Sequence, residues 1–368
     1  MNCDLPLCVV GAGPSGATAA RLLAQSGCRR VILLEKCGWP RRKTCAGGLG
    51  PRAREWLDRQ GLLKEASVAA SRITSLRFTA PSGKSARLTM NREMAIVMPR
   101  DSLDAFLVSK AIAAGVDFRP STEVTSVRQE SGGVVVCTHG GDIEADAVVL
   151  AAGALNRAAD KQPLRTGCAH SIMARFADFP HNPGEMEMIY SKNLSPYYAW
   201  LFPEPGGLVN VGLVAPSRRK GASLHDLFDD ALENFFGWRP AGARQIGRRY
   251  GAPIRCPGRI GTVVDGRVLI AGESAGLVHC LTCEGIPYAL ESGELAASAI
   301  VRSITGGSRL DPLALRWYQR AVERRFWLPV TMSALYRWFV ASPAFPPAAH
   351  LGTSPMFERF SAFVLAKA

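Results

Sequence analysis

Six residues near the N-terminus, Gly11-Ala12-Gly13-Pro14-Ser15-Gly16, restrict this chain more than any other segment. They satisfy G-x-G-x-x-G, and their surroundings give the pattern its weight. Leu5 to Val10 is apolar and ends in β-branched residues, which reads as a buried parallel strand. Ala17 to Ser26 is rich in small residues and reads as a helix. Arg30 to Leu34 reads as a second buried strand that ends at Glu35. Strand, glycine turn, helix and strand make a βαβ unit. Gly11 permits the tight turn, Gly13 lets the backbone approach a pyrophosphate, and Gly16 lets the helix pack close to the strand. The helix N-terminus, preceded by Ser15 in the turn, then faces the phosphate charge. Glu35 stands where an acid binds the ribose hydroxyls of an adenosine. A dinucleotide is therefore the expected ligand.

The chain has 368 residues, more than one simple core needs and enough for two interleaved domains. With 47% hydrophobic and 20% charged residues, disorder is excluded over most of its length. Ile73 to Met98 alternates around Pro81-Ser82-Gly83 and predicts an antiparallel hairpin. Asp101 to Gly115 predicts an amphipathic helix. Val124–Thr138 and Asp142–Leu150 predict strands that return to the nucleotide domain. Between Cys168 and Cys256 the pattern becomes spaced strands, such as Ile189–Trp200 and Leu208–Val214, interrupted by a helix over His225–Phe236. Asp265–Gly272 reads as another strand and Ile286–Thr305 as a helix. From Leu313 the tail is helical and rich in aromatic residues.

The expected class is α/β. A discontinuous Rossmann-type dinucleotide-binding domain (1–72, 99–165 and 257–310), read below as an FAD-binding domain from a resemblance, carries an inserted antiparallel-sheet substrate domain (73–98 and 166–256) and a helical C-terminal region (311–368).

FAD rather than NAD follows from a resemblance. Asp265-Gly266-Arg267-Val268-Leu269-Ile270-Ala271-Gly272-Glu273-Ser274-Ala275-Gly276 resembles the second FAD motif of the glutathione-reductase-type flavoproteins. That motif usually reads G-D, and here Glu273 replaces the aspartate. The resemblance implies Glu273 on the ribityl chain, with Gly272 and Gly276 at the turn. Arg100, in Pro99-Arg100-Asp101-x-Leu103-Asp104, resembles the flavin-contacting arginine at a helix start. Ala151-Ala152-Gly153-Ala154-x-Asn156-Arg157 takes the place of the A-D-G-x-x-S-x-x-R segment of flavin hydroxylases, without its acid.

A narrower resemblance joins three motifs. Lys43-Thr44-Cys45-Ala46-Gly47-Gly48-Leu49 resembles the K-x-C-G-G segment of the geranylgeranyl reductase family. Pro196-Tyr197-Tyr198-Ala199-Trp200-Leu201-Phe202-Pro203, followed by Gly206, Gly207 and Gly212, resembles its Y-x-W-x-F-P motif. Glu284-Gly285-Ile286, with Ala289 and Ser292-Gly293, resembles its G-E-G-I run. The match spans residues 5 to about 300.

The family transfers hydride from reduced FAD to an isolated alkene of a prenyl chain. The resemblance thus implies an FAD-dependent reductase of an apolar or prenylated lipid substrate, with Lys43, Gly285 and Ile286 at the cofactor. Tyr198, Trp200 and Phe202 alternate on a strand and face one side, which suits the wall of an apolar site, although core packing explains the same spacing. Cys45, flanked by glycines and near Lys43, is a candidate catalytic thiol. His279, Cys280 and Cys283 complete the catalytic candidates. In the family a proline and a glycine stand where Cys280 and Cys283 do. These two thiols either form a redox set with Cys45 or are simply buried.

Alternatives of other chemistry are a flavin-dependent monooxygenase and, less favoured, a halogenase, since Tyr198-x-Trp200-x-Phe202-Pro203 partly matches W-x-W-x-I-P. A non-catalytic, membrane-associated flavin protein is a third. The electron donor is NADPH or reduced ferredoxin, as no separate nicotinamide domain is apparent.

The formal charge of +13 comes in small groups: Arg29-Arg30, Arg41-Arg42-Lys43, Arg218-Arg219-Lys220, Arg248-Arg249 and Arg324-Arg325. They suit an anionic cofactor or a membrane surface, and Trp327, Leu335, Trp338 and Phe339 offer shallow insertion. Nucleic acid ranks last, because no recognition motif accompanies the charge. Ten scattered cysteines read as reduced thiols of a cytoplasmic protein, and Cys280-x-x-Cys283 lacks the second ligand pair of a zinc site. The uncharged run from Trp338 reaches about 20 residues only before four prolines are counted against it. Nothing in the sequence sets an oligomeric state.

Overall fold

A computed structural model describes residues 5–28, 30–154, 168–217, 221–235, 242–305 and 309–342. Arg29, Asn156, Arg157, Arg218-Arg219-Lys220 and the tail beyond Ser342 lie outside these residues.

Leu7–Val10 pairs in parallel with Val31–Leu34 on one side and Ala147–Leu150 on the other. Every residue of the three strands is buried, as their unbroken apolar sequences require. Val268–Ile270 and Asp117–Arg119 extend this parallel sheet, and Val264–Asp265 closes one edge antiparallel. Its two faces differ. Leu7, Val9, Val31 and Leu33 pack on helices Pro14–Gln25, Arg100–Ala113 and Ile286–Ser303. Cys8, Val10, Ile32 and Leu34 pack on a three-stranded meander, Val124–Gln129, Val134–Thr138 and Ile143–Ala145.

The second large sheet has the order Arg244–Arg255, Cys168–Ala177, Leu208–Pro216, Tyr198–Glu204, Glu185–Tyr190, Ser75–Thr79 and Ser85–Thr89. One face packs Ala199, Leu201, Val211 and Leu213 on helix Leu224–Asn234, which opens with a Ser223–Asp226 capping box. The opposite face presents Tyr198, Trp200 and Phe202 with Met173, Met186 and Met188.

Several expectations change in detail. The sheet is mixed rather than purely antiparallel, because Glu185–Tyr190 and Ser75–Thr79 run parallel. Ile189–Trp200 is two strands, broken over Ser191–Tyr197, where Leu194 and Tyr197 donate to turn carbonyls. Val124–Thr138 does not enter the nucleotide sheet; it folds back at Ser131-Gly132-Gly133 as part of the meander. Asp142–Leu150 divides at Asp146, whose carboxylate accepts from the Leu5 N–H at 3.1 Å, and only Ala147–Leu150 returns to the parallel sheet. The first helix begins at Pro14 rather than Ala17, since proline fits a first helical position.

Helix Arg316–Ala341 packs through Tyr318, Val322, Phe326 and Val330 and leaves Trp327, Leu328, Leu335, Trp338 and Phe339 exposed. No helix among the described residues is long and apolar enough to cross a membrane.

Candidate flavin and substrate site

The glycine turn is built as its motif demands. Gly11 has φ +100°, and a Cβ there would overlap the Ala151 carbonyl. A Cβ on Gly16 would overlap the Gly11 carbonyl, so helix and strand touch through bare backbone. Gly13 differs. Its backbone is extended, and a Cβ would meet only Arg41 Nη2 at 3.6 Å and Arg100 Nη2 at 4.0 Å. The space before Gly13 is thus bounded by two guanidinium groups and a helix N-terminus, an arrangement that suits a diphosphate.

The Ser15 hydroxyl beside it is buried without a hydrogen-bond partner. An unsatisfied buried hydroxyl costs about 1–3 kcal/mol, which a phosphate oxygen here would relieve. Gly272 and Gly293 close on Ser15 from the other side. These residues fit the pyrophosphate of FAD.

Buried Asp104 orients both arginines. It accepts from Arg41 at 2.9 Å and from Arg100 at 2.9 and 3.0 Å. Arg41 also pairs with Glu35 at 3.0 Å, and Glu35 accepts the Ala12 and Cys37 N–H groups at 3.1 Å each. Burial works to raise the Glu35 carboxyl, but Arg41 and those donors hold it below the usual range. Burial likewise opposes the Arg100 charge, and Asp104 with the Cys45 side chain outweighs it. Arg41 and Asp104 were not among the expected contacts. Arg41 stood in sequence only as part of a basic group.

The second motif meets the first. Gly272 and Gly276 have φ +62° and +71°. Glu273 accepts from the Arg255 N–H at 3.2 Å and faces Lys43 Nζ at 3.4 Å. The Gly272 N–H donates to Ser292 Oγ at 2.9 Å, and Ser274 Oγ donates to the Gly153 carbonyl at 3.0 Å. Gly285 precedes helix Ile286–Ser303, in which Ile286 is buried. The Lys43, Gly153 and Glu273 segments therefore converge on one place.

Tyr198, Trp200 and Phe202 do share one face. The Trp200 ring lies on Gly212, where any Cβ would overlap it, and Phe202 lies against Gly48, 3.0 Å from where a Cβ would stand. Trp200 Nε1 donates to Asn210 at 2.9 Å, and Asn210 Nδ2 donates to the Cys45 carbonyl at 3.1 Å and to Glu204 at 3.0 Å. The aromatic wall and the Cys45 loop are thus tied together by Asn210, a lone amide in the otherwise apolar strand Leu208–Pro216. The Cys45 N–H points at Met173 Sδ (3.3 Å), and Cys45 Sγ accepts the Gly47 N–H at 3.3 Å. Tyr198 Oη donates to the Thr282 carbonyl at 2.5 Å, and burial pushes its phenol well above the ordinary range.

The loop before helix Ile286–Ser303 carries Cys280 and Cys283, and Cys45 and Cys283 both lie near the Tyr198 phenol. Cys280 Sγ lies 3.5 Å from the Cys256 carbonyl, and the Cys45 N–H lies against Met173. His279 is buried, and its Nδ1 is 2.9 Å from Thr282 Oγ1 and 3.2 Å from the Thr282 N. Burial first, then the charge of Arg52, lowers the imidazole to about 4, so it is neutral at physiological pH. Adjacent Glu284 moves the other way. Burial lifts its carboxyl to about 7 against the pull of Arg52, with Glu291 adding to the rise.

These two shifts have opposite consequences for stability. His279 carries a folded pKa below its usual 6.5, so its contribution is complete above pH 6.5 and is lost as pH falls toward 4. Glu284 carries a folded pKa above its usual 4.5, so its contribution is complete below pH 4.5 and is lost as pH rises toward 7. Between pH 4.5 and 6.5 the slopes oppose each other. Glu284→Gln should unmask the histidine: relative to wild type, the variant should lose up to about 3 kcal/mol as pH falls through this window. Denaturant titrations at several pH values measure this, and parallel curves for the two proteins would refute it.

The FAD binding domain family matches residues 4–187. A digeranylgeranylglycerophospholipid reductase of Methanoculleus marisnigri is 30% identical over 330 residues, covering 83% of this chain and 79% of that protein. The chain belongs to the geranylgeranyl reductase family of FAD-dependent oxidoreductases. A menaquinone reductase of Mycolicibacterium smegmatis is 29% identical over 360 residues, covering 90% of this chain and 86% of its own. In fold, a geranylgeranyl bacteriochlorophyll reductase-like protein of Thermoplasma acidophilum superimposes with a TM-score of 0.80 at 23% identity, over 92% of this chain and 87% of that one. As a geranylgeranyl reductase family member the protein is a flavoenzyme, and the Gly11–Gly16 turn lies within the matched FAD binding domain.

Proposed function

We propose that this enzyme reduces a C=C bond in the prenyl chain of an apolar lipid. The observation that carries the reading is the Tyr198–Trp200–Phe202 wall, tied through Asn210 to the Cys45 loop beside the FAD cradle. Bound FAD, once reduced, supplies the hydride. Gly11, Gly13, Ser15, Gly16, Arg41 and Arg100 would hold the pyrophosphate, and Glu35 the adenosine ribose. Lys43, Gly272, Glu273, Gly276, Gly285 and Ile286 would hold the remainder. The three aromatic rings and the methionines beside them exclude water and orient an apolar chain. Alkene reduction also needs a proton, and in this reading the Cys45 thiol gives it. Ala152, where flavin hydroxylases carry an acid, counts against the monooxygenase reading.

The direct assay supplies a geranylgeranyl lipid with NADPH or with reduced ferredoxin. The expected product is heavier by two hydrogens per double bond, and the effective donor names the partner. Unchanged lipid with both donors would defeat the reading. Cys45→Ser keeps the volume but is a far weaker acid. Its FAD spectrum and melting temperature should match wild type while turnover falls at least tenfold, about 1.4 kcal/mol in the barrier. Unchanged turnover would leave Cys45 as a packing residue.

The helix Arg316–Ala341 supports contact with an anionic lipid surface, because exposed Trp327, Leu328, Leu335, Trp338 and Phe339 share it with Arg320, Arg324 and Arg325. The protein should float with anionic liposomes at low salt and less at high salt. Absence of binding at low salt would remove this part of the proposal.

A further inference from the structure

A small opening lies where the loop that carries Lys43 meets the edge strand Arg244–Arg255, and Arg42, Lys43, Asp101, Met173, Arg175 and Tyr250 line it. Met173 is buried among the aromatic-wall residues and meets the Cys45 N–H, so the opening borders the substrate face. Lys43 faces Glu273 at 3.4 Å, so it borders the proposed FAD cradle as well. Arg175 is also engaged. It donates to Asp101 at 3.0 and 3.2 Å and stands 2.7 Å from Glu204.

Arg42 and Arg248 differ from these. Both are exposed, and neither has a carboxylate partner among the described residues. What they share is Tyr250. Arg42 Nη1 donates to Tyr250 Oη at 2.9 Å, and its Cζ lies 5.6 Å from the ring centroid. Arg248 Cζ lies 5.1 Å from the same centroid. Burial works to raise the Tyr250 phenol, but the two arginines hold it below its ordinary range. Arg249 shows the contrast: it donates to Asp229 at 2.6 and 2.9 Å and lies over the Phe228 ring. The strand is shaped to present the unpaired groups. Its pairing with Cys168–Ala177 shifts register between Met173 and Arg175. Gly247 has φ +74° there, and a Cβ on it would stand 3.2 Å from Arg42 Nη1. Such bulges re-aim side chains beside sites. Two like charges on one ring repel each other, and a guanidinium fork matches the oxygens of a phosphate.

We propose that Arg42 and Arg248 bind a phosphate ester of a small reactant, outside the FAD cradle, at the mouth of the flavin and substrate site. Two reactants of the proposed reduction can carry that group. One is a phosphorylated nicotinamide dinucleotide as hydride donor, and the other is a prenyl lipid with a phosphate headgroup. The recognition is the same for both: one phosphate between two guanidinium forks, against an aromatic ring. The inference adds a subsite to the reading above. Its test is equilibrium binding, which needs no turnover and therefore fails separately from that reading.

FAD-loaded enzyme is titrated by calorimetry with NADP+ against NAD+, and with geranyl diphosphate against geraniol. In at least one pair the member with the additional phosphate should bind more tightly by about tenfold or more. A preference for NADP+ identifies the donor as the ligand, and a preference for geranyl diphosphate identifies the headgroup. Arg42→Gln and Arg248→Gln should each erase most of that preference. Both side chains are exposed, so the FAD spectrum and melting temperature should stay unchanged. Arg249→Gln removes the same charge next to Arg248 and should keep the preference. Equal binding within both pairs in wild type would overturn the proposal. So would a preference that survives both Arg42→Gln and Arg248→Gln, or one that falls equally in Arg249→Gln, which would reduce it to net charge.

Discussion

Gly13→Val should purify as a folded but colourless protein. The backbone at Gly13 is extended, so valine enters it without strain, and its Cβ meets only two guanidinium tips at 3.6 and 4.0 Å. Gly13 is also the N-cap of its helix and makes no side-chain cap, so little capping is lost. The apoprotein should therefore lose less than about 1 kcal/mol. The same side chain occupies the space that a diphosphate needs, and FAD affinity should fall at least a hundredfold, about 3 kcal/mol. Circular dichroism with FAD titration separates the two effects. A yellow variant holding one FAD per chain would remove Gly13 from the cradle. An unfolded one would show that the glycine serves the fold instead.

Glu291→Ala should be the most destabilising single change away from the cofactor. Glu291 is buried in helix Ile286–Ser303 and accepts two hydrogen bonds from Arg52, at 2.6 and 2.9 Å. Arg325 reaches the same carboxylate from the C-terminal helix at 2.6 Å. Arg52 lies over the Tyr288 ring, 4.3 Å from its centroid, with Phe326 beside it at 5.5 Å. Removing the carboxylate leaves the buried Arg52 charge without its partner, and such losses cost about 3–5 kcal/mol. Urea unfolding of the wild type and variant measures the difference. A loss under about 1 kcal/mol would mean that Arg52 relaxes to another acceptor. Substituting Arg325, whose side chain is half exposed, should cost far less, because water replaces what it loses.

How much of this was legible in the sequence depended on how local each constraint is. The cofactor turn was visible, because the contact of Gly16 with the Gly11 carbonyl lies within one βαβ unit, although Gly11 itself packs on the distant Ala151 carbonyl. The common face of Tyr198, Trp200 and Phe202 followed from the twofold repeat of a strand. The strand breaks were less visible. Ile189–Trp200 reads as one apolar run, and only the turn at Ser191–Tyr197 sends its halves in opposite directions. The division at Asp146 depends on a bond to Leu5, 141 residues away in sequence. The site shows the same limit. Asn210 ties Trp200 to the Cys45 loop across 165 residues, and Cys280 meets the Cys256 carbonyl although Cys256 follows a strand of the other sheet. Asn210 did carry one signal, a single amide in a strand otherwise built of apolar residues, glycine and proline. A polar residue in such a place needs buried partners. Arg41 carried none beyond its charge, since its partner Asp104 lies 63 residues away.

The most direct test of the central claim is anaerobic. FAD-loaded protein is photoreduced, mixed with a lipid that carries an unsaturated prenyl chain, and followed by its flavin absorbance. The structure and the family predict that the oxidised spectrum returns without oxygen, and that each flavin reoxidised leaves one double bond saturated. A flavin that stays reduced with every prenyl alkene, and reoxidises only when oxygen is admitted, would contradict the claim.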